Sequence, residues 1–376
     1  SKVAILGSGN AGCTYSAYLG KRGHEVRIWD SEQFKANLDP IAEKGGMDII
    51  AEGNMTAHKA EEEGFGPISM VTTDIKKAIE GVEVIMVVVP GFGIAPIARQ
   101  IAPYLKANQI VMLNPGQVLG ALEFLNTLRE CNNNEDVTIC ETASNMFACR
   151  RVGPTTVRIS ALKNKMEIAS IPSYRIEYCI SKLDEFFPGH FVAMPNILST
   201  GLNYNNLIIH PAGALLNMGR IENTQGKYDF YWEGLTPGVC RNIEAVDAER
   251  LAVAEKFGCK LPTFIEMNHD YYGHRERKTV YEFFSVSEVH GGAGYSAPPN
   301  LKHRYISEDI PFALVAVSAL GDAVGVDTPV IDALITVASF ANEENYRITG
   351  RSLKNLHLDG LTKEEMIKFI ETGKRN

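Results

Sequence analysis

The sequence lacks the features that mark several large classes of protein. Its 376 residues hold only seven cysteines, an odd number without a C-x-x-C pair, which fits reduced thiols better than a disulfide framework. The longest apolar run, residues 82–89, is far shorter than the ~20 residues of a membrane span. The chain also opens on a predicted strand rather than on a secretory signal, so we expect a cytoplasmic location and no membrane partner.

Clustered positive charge is absent as well. The chain carries 37 Lys and Arg against 45 Asp and Glu, a formal net charge of −8, and no basic patch of the kind that nucleic acid requires. Its nine histidines form no H-E-x-x-H or mixed Cys/His motif, since His269 and His274 are spaced off a helical face. We therefore expect small-molecule partners, with no metal and no nucleic acid.

The patterns that are present indicate an α/β protein. The chain length favours two domains, and short continuous apolar runs such as residues 2–9 and 82–89 alternate with helical segments such as residues 11–23. Such runs are typical of a parallel sheet that is covered on both faces. From about residue 197 the pattern is helical. We predict an N-terminal Rossmann-type doubly wound domain, residues 1–194, followed by a mostly α-helical substrate and catalytic domain, residues 195–376.

A glycine-rich turn, "GSGNAG", follows the first predicted strand and opens the first predicted helix. Gly7 permits a tight turn, Gly9 lets backbone amides approach a pyrophosphate, and Gly12 allows the helix to pack on the strand. Asp30 ends the second strand, 18 residues after Gly12, where a carboxylate accepts hydrogen bonds from an adenosine ribose. NAD is predicted over NADP, because a 2′-phosphate would lie beside the Asp30 carboxylate, and the next three residues, Ser31, Glu32 and Gln33, offer no cation. A glycine turn that binds another ligand is the alternative.

Polar side chains also follow the next predicted strands, at residues 87–93, 112–117 and 140–145. In an open parallel sheet these carboxyl ends face one crevice, and Gln117, Thr142 and Asn145 carry hydrogen-bonding groups there. Ordinary turn chemistry is the alternative. The predicted cofactor contacts are Gly7, Gly9, Asn10, Ala11, Gly12, Asp30 and Pro90.

The segment "NYNNLIIHPAGALL" places His210 among aliphatic residues and directly before Pro211. Asparagine is unfavourable in a helix interior, and Pro211 has no backbone N–H to donate to the carbonyl of Leu207. We therefore expect a helix that kinks or breaks here. A histidine in such a segment is more often a satisfied interior group than a catalytic one.

Six segments carry a specific resemblance: "GSGNAG", "LNPGQVLGALEF", "ETASNMFACR", "NNLIIHPAGALLN", "VDAERLAVAEKFG" and "RYISEDIPFALV". In this order they resemble the NAD/NADP octopine/nopaline (opine) dehydrogenase family, from the first strand to about residue 360. The resemblance implies a dinucleotide domain joined to a helical substrate domain, with the active site in the cleft between them. It also implies an NAD-dependent oxidoreductase that condenses an amino acid with a 2-oxo acid through an imine.

The resemblance further implies roles for individual residues. His210 corresponds to the catalytic histidine and Asp309 to its partner acid; the remaining implied substrate contacts are Arg304, Gln117, Thr142 and Asn206. An imidazole suits proton transfer near neutral pH, and a carboxylate beside it would set its tautomer. Each has a structural alternative, since Asp309 also fits a helix N-terminal cap and Arg304 a solvated surface group.

Two other functions are consistent with the same residues. One is an NAD-dependent 2-hydroxy-acid type dehydrogenase, which reduces a free carbonyl, and the other is an NAD-binding sensor without turnover. The sequence leaves open the identity of both substrates, the stereochemistry of the product and the oligomeric state, including whether the chain forms a homodimer.

Overall fold

The structure, a computed structural model that describes residues 1–375, divides the chain into two compact units. The first unit comprises residues 1–116, 120–200 and the chain from residue 368 onward, and the second comprises residues 117–119 and 201–367. All strands lie in the first unit, and the described part of the second unit holds helices alone. The predicted fold class, a Rossmann-type domain with a helical domain, is confirmed. The boundary at residues 194 and 195 stays a prediction.

The strands of the first unit are β1 (Lys2–Leu6), β2 (Glu25–Trp29), β3 (Gly46–Ala51), β4 (Gly64–Pro67), β5 (Met70–Thr72), β6 (Val84–Val87), β7 (Ile110–Leu113), β8 (Thr138–Thr142), β9 (Phe147–Gly153), β10 (Thr156–Leu162), β11 (Met166–Ile171) and β12 (Phe191–Ala193). Eight of them form one sheet in the order β12-β11-β8-β7-β6-β1-β2-β5. Its pairs are parallel except for β8 with β11. Every residue of β6, β7 and β8 is buried, as the continuous apolar runs predict.

A second sheet in the same unit has the order β4-β3-β10-β9. The sequence analysis did not predict it. The pair β3 and β10 is parallel, whereas β3 with β4 and β9 with β10 are antiparallel. Along β9, more exposed and less exposed residues alternate. Such short alternating strands pair according to their tertiary neighbours, so the pattern along the chain does not reveal which sheet they join.

The helices of the first unit are α1 (Asn10–Lys21), α2 (Lys35–Lys44), α3 (Lys59–Glu62), α4 (Ile75–Ile79), α5 (Ile94–Ile101), α6 (Gly120–Glu130), α7 (Ile176–Leu183) and α8 (Ile197–Gly201). Those that follow are α9 (Asn206–Leu215), α10 (Met218–Thr224), α11 (Pro237–Lys256), α12 (Phe264–Tyr272), α13 (Val280–Phe284), α14 (Arg304–Ser307), α15 (Val315–Val324), α16 (Pro329–Ala341), α17 (Tyr346–Thr349) and α18 (Lys363–Thr372). Two π-helical turns, Phe230–Gly234 and Ile310–Leu314, interrupt the second series. Within residues 1–375, no helix is long and apolar enough to cross a bilayer.

Helix α9 runs through Pro211, so of the two predicted alternatives the break is wrong, and the kink stays a prediction. Proline removes one backbone hydrogen bond and costs a helix roughly 3 kcal/mol. All nine residues from Leu207 to Leu215 are buried, however. The leucine and isoleucine side chains among them each contribute ~1.5–3 kcal/mol when they leave water. Packing around the whole circumference therefore outweighs the local cost, and it encloses His210 within the second unit.

Candidate active site

His210 and Asp309 are in contact in the second unit. His210 lies in the middle of α9, and its Nδ1 is 3.1 Å from the Oδ2 of Asp309, a residue 99 positions later in the chain. The two residues are 8% and 2% exposed. The pairing that the sequence analysis expected is thus present, in surroundings from which water is nearly excluded.

Asp309 is held by side chains rather than by a helix end. It occupies the N-cap position of the π-helical turn Ile310–Leu314, yet its carboxylate makes no capping hydrogen bond. Instead its Oδ1 accepts a hydrogen bond of 2.9 Å from the hydroxyl of Tyr204. The capping alternative for the side chain is therefore wrong. Burial raises the pKa of Asp309 to about 7, while the Tyr204 hydrogen bond and the positive charge of Arg304 act in the opposite direction.

The imidazole of His210 is kept neutral by its surroundings. Burial lowers its pKa well below the ordinary value, and the positive charge of Arg304 lowers it further. The ring of Tyr305 covers one face, stacked with its centroid 3.6 Å away. With Nδ1 donating its hydrogen to Asp309, Nε2 carries the lone pair that is available to take up a proton.

Two further side chains extend this network. Asn206, the first residue of α9, donates from Nδ2 to the hydroxyl oxygen of Tyr204 at 3.1 Å. Tyr204 therefore links Asn206 to Asp309, and through it to His210. From the sequence, Tyr204 fits a pocket wall or the core equally well, because nothing local in the chain indicates that its hydroxyl reaches an aspartate 105 residues away.

Arg304 begins α14 and is exposed. Its guanidinium has no hydrogen-bond or ion-pair partner among residues 1–375. Its positive charge nevertheless lowers the pKa of His210 and opposes the rise that burial causes in the pKa of Asp309. A guanidinium in this state can grip a carboxylate with two parallel hydrogen bonds. The geometry is therefore compatible with the role that the sequence analysis assigned to it.

Gln117 belongs to the second unit and is buried there. Its Nε2 donates to the Oε1 of Glu308 at 2.5 Å, and its own Oε1 has no hydrogen-bond partner within residues 1–375. The backbone beside it is also held: Val118 donates to the carbonyl of Phe312 at 3.2 Å and accepts from Arg351 at 3.1 Å. The sequence analysis missed Glu308 and Arg351, although Glu308 directly precedes Asp309 in the quoted motif.

The glycine-rich turn of the first unit has the geometry of a dinucleotide loop. Gly7 has a φ of +128°, and a Cβ there would lie 2.3 Å from the carbonyl oxygen of Val88. A Cβ on Gly12 would lie 2.1 Å from the carbonyl oxygen of Gly7, whereas a Cβ on Gly9 would meet nothing within 4 Å. Two glycines are thus required by close packing, and the third leaves open space above the start of α1.

That open space lies at a helix N-terminus that no side chain caps. Asn10 and Ala11 begin the first turn of α1. The N-cap residue, Gly9, has no side chain that could accept a hydrogen bond from the backbone amides of this turn. The Oδ1 of Asn10 accepts a hydrogen bond from the backbone nitrogen of Arg151, whose guanidinium donates to the carbonyl of Ser8. Arg151 was not predicted. It adds positive charge beside a loop that already suits a phosphate.

Asp30 and Pro90 also lie in the first unit. The carboxylate of Asp30 follows β2 and accepts hydrogen bonds from the backbone nitrogen and hydroxyl of Ser8 and from the backbone nitrogen of Ser31. It is therefore tied to the glycine-rich turn. Pro90 is exposed and precedes the 3-10 turn Gly91–Gly93. Their contacts with a cofactor stay predictions.

Thr142 lies at the end of β8 and is 1% exposed. Its hydroxyl accepts a hydrogen bond from Asn114 at 2.8 Å and donates to the carbonyl of Ser144 at 2.9 Å. Asn145 is half-buried nearby in the chain. Because the hydroxyl hydrogen of Thr142 is already engaged, direct donation to a substrate requires that the bond to Ser144 be given up. Its predicted role is not tested by this geometry.

Groups of histidine, cysteine, aspartate or glutamate that could hold a metal ion do not occur among residues 1–375. The three carboxylates described above are each engaged with protein donors.

Comparisons with known proteins cover the whole chain. Residues 193–342 match the family described as NAD/NADP octopine/nopaline dehydrogenase, alpha-helical domain, and residues 2–128 match the NAD-dependent glycerol-3-phosphate dehydrogenase N-terminus. The chain is 38% identical over 368 residues to the opine dehydrogenase of Arthrobacter sp. (strain 1C), across 98% of each protein. It is 25% identical over 371 residues to the protein ocs of Agrobacterium tumefaciens (strain Ach5), across 98% of this chain and 99% of that protein.

Among solved structures, octopine dehydrogenase with NADH and L-arginine is similar with a TM-score of 0.78 and 20% sequence identity, covering 100% of this chain and 98% of that one. Yersinopine dehydrogenase with NADP⁺ is similar with a TM-score of 0.70 and 16% identity, covering 98% of this chain and 97% of that one. These likenesses extend over both units and agree with the fold described above.

Proposed function

The chain belongs to the opine dehydrogenase family and is an NAD(P)-dependent oxidoreductase, and on this premise we propose how it acts. It joins the amino group of an L-amino acid to the carbonyl carbon of a pyruvate-like 2-oxo acid. Loss of water gives an imine, and reduction gives an N-(carboxyalkyl)amino acid; the reverse reaction is also catalysed. The observation that carries the proposal is the buried contact between His210 and Asp309 in the helical unit.

The residues of the first unit fit a dinucleotide. The free first turn of α1 and the open face of Gly9 suit a pyrophosphate, and the carboxylate of Asp30 suits the hydroxyl groups of an adenosine ribose. When bound, NADH supplies the hydride. We favour NAD over NADP, because a 2′-phosphate would lie beside Asp30, and the guanidinium of Arg151 already donates to four backbone carbonyls.

His210 moves the protons of the reaction through Nε2. Its neutral imidazole takes a proton from the ammonium group of the amino acid, and the resulting amine attacks the carbonyl carbon of the oxo acid. The imidazolium then returns the proton to the hydroxyl that leaves as water. In the reverse direction Nε2 accepts the proton of the secondary amine. Asp309 stabilises the imidazolium and holds Nδ1–H, so that the ring presents Nε2 in one tautomer.

Arg304 holds a substrate carboxylate. Both substrates carry one, and the guanidinium has no protein partner among the described residues to compete for it. The same charge disfavours protonation of His210 before substrate binds, and a bound carboxylate would neutralise that effect. Binding of an anionic substrate would therefore raise the proton affinity of the imidazole at the stage when it must accept a proton.

A panel of NADH-oxidation assays tests the proposal. L-amino acids with apolar, basic and acidic side chains are each combined with pyruvate or 2-oxoglutarate, and oxidation is expected only when both substrates are present. The product is identified by mass spectrometry as the sum of both substrates minus water plus two hydrogens. Oxidation with pyruvate alone would instead identify a 2-hydroxy-acid dehydrogenase. Binding of NADH without oxidation over the whole panel would identify a sensor.

We also propose a cytoplasmic location. All seven cysteines are free of disulfides, and five of them are buried. A reducing compartment keeps thiols in this state. Fractionation of the native host, followed by immunodetection of the chain, tests this, and recovery from an oxidising compartment would contradict it.

A further inference from the structure

We propose that Glu308 is a positioning residue that orients the amide of Gln117, so that the Oε1 of Gln117 binds the amino group of the amino acid substrate. The inference rests on the proposed function and assigns the group that recognises one of its two substrates. The contact between Gln117 and Glu308 lies wholly within the second unit.

The hydrogen bond to Glu308 determines which way the amide points. A carboxylate has acceptor oxygens and no hydrogen, so it must face the Nε2 of Gln117. Nε2 lies 2.5 Å from the Oε1 of Glu308, so the two groups are in direct hydrogen-bond contact. If the amide turned over, two oxygens would oppose each other at that distance. The Oε1 of Gln117 therefore points away from Glu308.

That oxygen lacks a partner. Gln117 is 2% exposed, and its Oε1 has no hydrogen-bond donor among residues 1–375. A buried carbonyl without a donor costs free energy, and where no protein group supplies the donor, a water molecule or a ligand does. A substrate that replaces water at this oxygen must supply a hydrogen. A 2-oxo acid carries only acceptor oxygens at neutral pH, whereas the amino group, the protonated imine and the product amine all carry N–H.

The backbone holds Gln117 in place for this task. Gln117 has a φ of +53° and Leu119 a φ of +63°, both in the left-handed region that a side chain disfavours. The strain is sustained by the hydrogen bonds of Val118 with Phe312 and Arg351. These hydrogen bonds hold the segment in this conformation within the second unit.

One short stretch of chain would then place both reactive groups. Glu308 orients the acceptor for the substrate nitrogen, and Asp309 orients the imidazole that exchanges protons with it. The negative charge of Glu308 would also favour the cationic ammonium and protonated imine over the neutral oxo acid carbonyl. This differs from the role implied by the family resemblance, in which Gln117 contacts the oxo acid, a contact that only its second Nε2 hydrogen can make.

Exchanging the two side chains distinguishes these assignments. Glu308→Gln leaves a partner that can donate or accept, so the amide of Gln117 is no longer oriented, and the KM for the amino acid rises about tenfold. In the double variant Gln117→Glu with Glu308→Gln, the new carboxylate accepts from the new amide and keeps an oxygen for the ammonium. We expect this exchange to return the amino acid KM to within about threefold of the original value.

The assay uses pyruvate and the amino acid that is fastest in the panel, with NADH saturating. The KM for pyruvate is expected to stay within about twofold in both variants, because no acceptor oxygen at position 117 binds a 2-oxo acid. A rise confined to the KM for pyruvate, without recovery in the double variant, would show that Gln117 serves the oxo acid. An unchanged amino acid KM in Glu308→Gln would also overturn the proposal.

Binding measurements separate a failure of this inference from a failure of the proposed function. Calorimetric titration of the same amino acid into the NADH complex should show the affinity loss in Glu308→Gln and its recovery in the double variant. Titration of NADH and the melting temperature report folding. Absence of amino-acid-dependent turnover in the wild-type protein would count against the proposed function, whereas the variants alone decide the role of Glu308.

Discussion

The rings of His210 and Tyr305 lie face to face, with centroids 3.6 Å apart and planes inclined by 12°. This stacking covers one side of the imidazole, while Asp309 engages its Nδ1. The ring therefore has no free rotation, and the direction of Nε2 is set by two contacts from different parts of the second unit. Tyr305 directly follows Arg304 in α14. One short helix therefore carries both the ring that stacks on His210 and the guanidinium that is proposed to bind a substrate carboxylate.

Replacement of His210 should remove proton transfer while leaving the nucleotide site intact. In His210→Ala we expect turnover to fall by about 10²–10⁴-fold, the usual contribution of a positioned acid or base. NADH affinity, measured by fluorescence titration, should not change, since His210 belongs to the second unit. His58→Ala, at an exposed histidine of the first unit, serves as the control and should retain full turnover. Normal turnover in His210→Ala would refute the assignment.

Asp309→Asn should make the folded protein less sensitive to rising pH. Folding raises the pKa of Asp309 to about 7, so the folded state holds this proton more tightly than the unfolded chain. The stabilisation is complete below the unfolded pKa of about 3.9 and is lost as the pH rises through about 7. Asparagine does not ionise, and the variant should therefore gain stability relative to the wild type across this range, by about 1–4 kcal/mol.

Melting temperatures of both proteins between pH 5 and pH 8 provide the measurement. We expect the difference between variant and wild type to grow with pH, while the activity of Asp309→Asn is reduced at every pH. A difference that stays constant over this range would mean that Asp309 is not the buried acid of raised pKa. The His210 pKa is lowered in the folded state, so its contribution is lost on the acidic side in both proteins and does not produce a rising difference.

Arg304 should make the enzyme prefer substrates that carry a carboxylate over analogues that lack one. Arg304→Lys keeps the charge but loses the paired geometry, and we expect a rise in substrate KM of about 10-fold, with a larger rise in Arg304→Ala. The test compares the amino acid with the amine that lacks its carboxylate. The preference of the wild-type enzyme for the amino acid, or a parallel preference for pyruvate over acetaldehyde, should shrink in Arg304→Ala. If Arg304→Ala retains all of these preferences, another residue binds the substrate carboxylate.

Asp30 should determine which nicotinamide cofactor is preferred. Asp30→Asn keeps an acceptor for the backbone nitrogen of Ser8 but removes the charge, so NADH should bind about 10-fold more weakly and the preference over NADPH should narrow. Glu32→Ala, at an exposed acidic residue two positions later, is the matched control. Dissociation constants for both cofactors are measured for each variant. Equal selectivity in wild type and Asp30→Asn would mean that the ribose is recognised by another residue.

Several local features followed from the sequence because their causes are local. Asp74, a residue type that favours the N-cap position, precedes α4, and its carboxylate accepts from the backbone nitrogens of Lys76 and Lys77. The glycine-rich turn lies between β1 and α1 as predicted, since strand, turn and helix signals occupy adjacent positions. Motif order along the chain also identified the family, and the 38% identical relative confirms it.

Other predictions failed where distant packing outweighed a local preference. Pro211 predicted a kink or a break, and the buried surroundings of α9 keep the helix from breaking there. The capping position of Asp309 was read correctly, but Tyr204 and His210 take its carboxylate instead of the backbone. In both cases the competing partner lies far away in the chain, where no periodic pattern reports it.

The sequence by itself determined the fold class, the nucleotide-binding turn and the family, because these depend on patterns among neighbouring residues and on the order of motifs. Only the tertiary structure decided which side chains meet: Tyr204 at Asp309, Tyr305 on His210 and Glu308 at Gln117. Burial then set the proton affinities of the acid and the base. Hydrogen-bond partners and desolvation depend on positions in space, and a chain brings them about only when it has folded.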